Sequence, residues 1–145
     1  MELSKISGLE WKAKEIICYI IGYGRPFSDP LTVRIYKNYN DFIDTLTHEL
    51  IHKLFDQEGN MKRSEKAWNY FFRKYKQEPH TTKIHIPLHA IHAELISKFY
   101  GKKDIEKRLQ IPPHDQYRLS WKIVQEEGHQ NIIREFRKRL VKQLS

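Results

Sequence analysis

His48-Glu49-Leu50-Ile51-His52 is the stretch from which the rest of this sequence is best read. On a helix, histidines four residues apart stand one above the other on a single face, so both imidazoles reach toward one metal ion. A zinc ion that acts on a substrate takes three protein ligands and keeps one position open. Glu49, beside the first histidine, is placed to take a proton from water at that position. The motif predicts hydrolysis, of peptide bonds above all, with His48 and His52 as Zn²⁺ ligands and Glu49 as catalytic base.

That reading needs a helix, and the flanks supply one. From Tyr39 to Phe55 the apolar residues Phe42, Ile43, Leu46, Leu50 and Leu54 recur at three- and four-residue steps. Asn40 or Asp41 is a candidate cap, and Gly59 lies beyond the end. His48 and His52 fall off the apolar stripe, on a separate edge with Glu49 nearby. Lys53 departs from the uncharged surroundings such motifs usually have. The competing reading is a solvated helix that carries two histidines and a glutamate without a metal.

A second histidine-rich segment weighs against it. His85-Ile86-Pro87-Leu88-His89-Ala90-Ile91-His92-Ala93-Glu94 holds three more of the eight histidines. Pro87 suits the first turn of a helix, and Leu88, Ile91, Leu95 and Phe99 then run helically to Gly101. His89, in that first turn between apolar neighbours, is the first choice for third ligand, with His92 second and Glu94 third. The long interval from His52 excludes the compact HExxHxxGxxH pattern. Asp56 and Glu94 are the candidate hydrogen-bond partners for the ligating imidazoles.

With these residues the chain resembles the minigluzincins, small soluble metallopeptidases related to the catalytic domains of membrane-bound gluzincin proteases. The resemblance rests on His48-Glu49-Leu50-Ile51-His52 and on His89-Ala90 with its following helix, and covers residues 1–101. It implies a thermolysin-like plan, a small sheet above the HExxH helix, and a histidine as third ligand. It also implies that an edge strand binds the substrate in extended form and that a C-terminal segment blocks the cleft in a latent state. Residues such as His114, Asp115 or Tyr117 would then approach the open metal position.

Outside the motifs, Leu9, Ala13, Ile16, Ile17 and Ile20 have helical spacing, while the β-branched density of Ile16 to Ile21 allows a strand instead. Leu31 to Tyr36 alternates as a strand and is where the resemblance places the peptide. Ser64 to Gln77, with Trp68, Phe71, Phe72 and Tyr75, reads as a helix, as do Lys102 to Gln110, Tyr117 to Glu127 and Asn131 to Leu144. Pro112-Pro113 is the strongest break. The expectation is an α+β, mainly helical chain: a zincin-like catalytic domain over 1–101 and a helical tail over 102–145. The tail covers the cleft, completes the core or forms a homodimer interface.

Composition bounds the rest. A chain of 145 residues, 39% hydrophobic and 30% charged, suits one globular domain. No apolar run is long enough to span a membrane and the N-terminus lacks a signal peptide's pattern, so a cytoplasmic protein is expected. A single cysteine, Cys18, excludes an internal disulfide and a zinc–thiolate finger, and is expected to be buried. The net charge of +8 favours a different class. Basic residues crowd Arg134 to Lys142 and Lys62 to Lys76, which suits phosphate backbones, yet no nucleic-acid motif accompanies them. A peptide or protein substrate is therefore preferred as partner over nucleic acid, with a purely structural zinc site as the third alternative.

Overall fold

The structure, a computed structural model, describes residues 1–101, 103–104 and 115–141 of the chain. Its centre is α2 (Tyr39–Phe55), the helix read from the HExxH flanks. The cap is Asn38, two residues before the first of the expected pair, and its side chain accepts a hydrogen bond from the Asn40 N–H at 2.8 Å. Above α2 lies a three-stranded sheet of β1 (Tyr19–Ile21), β2 (Phe27–Ser28) and β3 (Leu31–Arg34), in the order β1-β3-β2. Strand β1 runs parallel to β3, with Ile20 opposite Val33, and β2 runs antiparallel, with Phe27 opposite Thr32. The sheet meets α2 through β2 and β3, where Leu31 and Val33 are buried. The unexpected Lys53 serves this contact: its Nζ lies 2.7 Å from Asp29 Oδ1 in the turn between β2 and β3.

Two expectations need correction. The strand over Leu31–Tyr36 is not an edge, because β3 is paired on both sides; the free edges belong to β1 and β2. The helix expected from Leu9 to Ile20 is absent. Helix α1 is Glu2–Ser7, and the chain after it is pinned by side chains of the α2–α3 corner. Gln57 Oε1 accepts from the N–H groups of Lys12 and Ala13, and Asn60 exchanges hydrogen bonds with the Glu10 backbone. Backbone donors satisfied in this way do not need a helix. Ile16 to Ile21 ends instead in β1, the strand alternative, and Cys18 is half-buried.

The other helices are α3 (Asn60–Lys74), α4 (His80–Phe99), α5 (Asp115–Glu127) and α6 (His129–Lys138). Helix α4 begins seven residues before the expected start, with Pro79 as its N-cap, and Pro87 lies within it. Helices α5 and α6 both pack on α4. Trp121, Val124, Ile132 and Phe136 share one core with Ile51, Phe71, Ile86 and Ile91. The expected helix over 102–110 falls outside the described residues apart from Lys103 and Asp104, as do Pro112-Pro113 and His114. Among the described residues the architecture is thus α+β and mainly helical, and no helix is long and apolar enough to cross a membrane.

Candidate metal centre

Helix α2 presents His48 and His52, and α4 lies alongside with His85, His89 and His92 on one face, at steps of four and three residues. Three of these five come together. One ring nitrogen from each of His48, His52 and His85 lies within 4.8 Å of the other two. Ligands of a tetrahedral zinc with ~2.1 Å bonds stand roughly 3.4 Å apart, so closing on an ion takes a modest contraction. The ring centroids are 5.0 Å apart for His48 and His52, 5.2 Å for His48 and His85, and 5.1 Å for His52 and His85.

His85 has the hydrogen bonding of a metal ligand. Its Nδ1–H donates to the Thr81 carbonyl at 2.7 Å, one helical turn back, which leaves Nε2 as the lone-pair nitrogen. That Nε2 is buried and has no hydrogen-bond partner. A buried acceptor without a partner costs about 1–3 kcal/mol, and an ion among the three rings would remove the deficit. Burial pushes the pKa of His52 and of His85 down to about 4, and that of His48 well below its usual range. The three imidazoles are therefore neutral at pH 7, the form that binds a metal. Donor chemistry, tautomer and protonation all fit an ion held by three histidines.

His89, the residue expected as third ligand, is placed differently. Its Nδ1–H donates to Ser120 Oγ at 2.6 Å, and the Ser120 hydroxyl donates in turn to the Tyr117 carbonyl at 2.9 Å. Its ring stacks on Trp121 with centroids 4.3 Å apart and an interplanar angle of 14°. His89 is 1% exposed and 5.5 Å from the His48 ring, inside the cluster but tied to α5. His92, the second choice, donates through Nε2 to Asp44 Oδ1 at 2.8 Å. Glu94 faces the other way, toward His129 Nε2 at 3.0 Å, and Asp56 lies near Lys53 and Asp29. Neither carboxylate meets an imidazole of the trio; the Thr81 carbonyl holds His85 instead.

Glu49 is 8% exposed, and burial pushes its pKa up to about 7. A carboxyl poised near neutrality is suited to proton transfer, and a divalent cation beside it would favour its ionised form. Tyr117 of α5 stands over the group, its ring 4.2 Å from that of His85 and 5.5 Å from that of His48. Burial first and Glu49 second raise the Tyr117 pKa, so its hydroxyl keeps its proton at neutral pH. Of the tail residues expected near the metal position, Tyr117 lies against the His48 and His85 rings, while His114 and the Asp115 side chain lie outside the described residues. A helix that starts at Pro87 leaves His85 outside it, whereas α4 runs through Pro87 and carries His85 on the same face as His89. The 85/89/92 spacing was the signal for one shared face.

No family model matches this chain, and neither does any curated protein or solved structure.

Proposed function

We propose that this chain is a zinc-dependent metallopeptidase of the minigluzincin kind, with His48, His52 and His85 holding the ion and Glu49 as general base. One observation carries the reading: nitrogens of three buried histidines converge, and the residue that follows His48 is a buried glutamate whose pKa burial pushes up to about 7. Three imidazoles leave a tetrahedral ion one open position, as hydrolysis requires and a fully ligated structural site does not. Zinc held by His48, His52 and His85 would supply Lewis acidity toward a carbonyl and make bound water more acidic. Glu49 takes the proton of the attacking water and passes it to the leaving amine, a role worth about 10²–10⁴ in rate. The protonated Tyr117 hydroxyl donates to the developing oxyanion.

Because β3 is central, an extended peptide has free strand edges only at β1 and β2. Tyr19 and Ile20 of β1 are more than half exposed. The test is cleavage of a mixed peptide library by the zinc-loaded chain. Glu49→Gln should lower turnover by about 10²–10⁴ while zinc is retained, and unchanged turnover would refute the assignment. Tyr117→Phe should lower turnover by about 10²–10³. A rise in turnover for Tyr117→Ala would instead establish latency, with α5 as the plug. Truncation of the tail is a poor test, since Trp121, Val124, Ile132 and Phe136 belong to the core.

A further inference from the structure

On the far side of α4 from the histidine face, a cavity of about 720 Å³ lies between α1, the C-terminal half of α4 and α6. Glu94 and Lys98, its residues on α4, stand roughly 200° and 240° around that helix from His92. The volume is that of a small-molecule site. Its apolar lining is Ile6 and Ile133, both buried, and five cations join them: Lys5, Lys98, Arg134, Arg137 and Lys138. Against these stand two carboxylates, Glu2 and Glu94.

The positive sign holds once every ion pair is counted. Glu2 is shared by Lys98 and, at 3.6 Å, Lys5, while Glu94 lies 3.0 Å from His129 Nε2. The three cations of α6 are left without a carboxylate among the described residues. Arg134 donates to the Asn131 amide oxygen at 2.7 Å, and Arg137 Nη1 donates to the Lys5 and Ile6 carbonyls at 2.9 and 3.4 Å. Glu135, which feels Arg134 and Lys138, is itself bound by Arg139 at 2.6 Å, and that pair adds no net charge. The C-terminal ends of α4 and α6, each worth about half a negative charge, do not reverse an excess of three cations.

Two acidic side chains lie outside the described residues, Glu106 and that of Asp115. Asp115 opens α5, whose Gln116 carbonyl accepts from Thr82, about 18 Å along α4 from Glu94. Glu106 at the rim would still leave the cations in excess. A positive, concave surface raises the local concentration of a multiply charged anion. Arginine forks suit phosphate oxygens, and Arg137 keeps its Nε and Nη2 donors. Ile6, Ile133 and the aliphatic stems of the cations offer ground for an uncharged, flat portion of the same ligand.

We propose that this cavity binds a nucleoside di- or triphosphate, its phosphates against Arg134, Arg137 and Lys138 and its base and ribose over Ile6 and Ile133. The site is separate from the metal centre and does not depend on the peptidase reading.

The experiment titrates the full-length chain by backbone amide NMR with ATP, inorganic tripolyphosphate and adenosine, at fixed ionic strength and without added metal, since oligophosphates chelate zinc. The expected result is shifts concentrated at Lys5, Lys98 and residues 133–138, with ATP bound about tenfold or more tightly than either fragment. Arg134→Gln/Lys138→Gln, both on exposed positions, should weaken ATP binding about tenfold or more. Lys62→Gln/Lys66→Gln makes the same charge change on exposed positions of α3, outside the cavity, and should leave ATP binding unchanged. Equal losses in the two double variants would reduce the effect to overall charge and overturn the site. Tripolyphosphate bound as tightly as ATP overturns the nucleoside. Absence of ATP binding, or shifts that spread along α3 as a nucleic-acid surface would give, overturns the proposal as a whole.

Discussion

His85 and His89 are one helical turn apart on the same face of α4, both buried and of the same chemistry, yet the structure uses them in opposite ways. The nitrogen that each spends on a hydrogen bond makes the difference. His85 donates backward to its own helix, at Thr81, and keeps a buried Nε2 without a hydrogen-bond partner on a ring that lies 5.2 Å from that of His48 and 5.1 Å from that of His52. His89 donates across to Ser120 and lays its ring on Trp121, so it joins α4 to α5. A histidine in a buried cluster is thus read as ligand or as packing post from its second nitrogen.

The largest effect expected from this contrast is in zinc-dependent stability. Zinc at a thousandfold excess over its dissociation constant stabilises a folded site by about 4 kcal/mol. Thermal unfolding should show that increment in the unmutated chain and in His89→Ala but not in His85→Ala. Equal increments in the two variants would remove the distinction. In the absence of metal the order reverses for His89. Its replacement by alanine deletes a core side chain and strands Ser120, which should cost about 2–4 kcal/mol in a urea melt.

Acid should expose the shared burial of the cluster. His52 and His85 have folded pKa values of about 4 against an ordinary 6.5, so the unfolded chain binds more protons between those values. Their contribution is fully present above pH 6.5 and is lost as pH falls toward 4. Glu49 opposes this: raised from 4.5 to about 7, it contributes stability below 4.5 that is lost as pH rises through 7. His48 and His89 shift in the same direction as the other two histidines, so four groups outweigh one. The urea midpoint of metal-free protein should therefore fall between pH 7 and pH 4.5, and a flat or rising midpoint would contradict the buried neutral cluster.

Smaller effects sharpen the same comparison. Ser120→Ala should cost about 1–2 kcal/mol in chemical denaturation and leave zinc binding intact, because only the post loses its acceptor. Lys53→Ala breaks an ion pair whose aspartate is 79% exposed, so a loss under about 1 kcal/mol is expected, outside the site altogether.

How far the site was legible follows the two helices. Helix α2 has a strong apolar period that marks its bounds, and the four-residue spacing within it puts His48 and His52 on one face. Helix α4 opens with His80-Thr81-Thr82-Lys83-Ile84, poor in strong helix formers, and its first turns owe their form to packing. Thr82 and Ile86 are fully buried, and Thr82 Oγ1 donates to the Gln116 carbonyl of α5. Such tertiary contacts leave no local trace, so the sequence pattern starts the helix at Pro87 and puts His85 before it, whereas α4 begins at His80. The segment after α1 failed for a related reason. Its helical spacing is real, but Gln57 and Asn60, more than forty residues away, take its backbone donors. Strand β3 was visible in its alternation, whereas its central position depended on the parallel pairing of β1.

Zinc content by elemental analysis of tag-free protein, compared among the unmutated chain, His85→Ala and His89→Ala, tests the central claim most directly. The account predicts one zinc per chain in the unmutated protein and in His89→Ala, and none retained by His85→Ala after dialysis. Zinc lost from His89→Ala but kept by His85→Ala, or absent from all three after incubation with the metal, would contradict it.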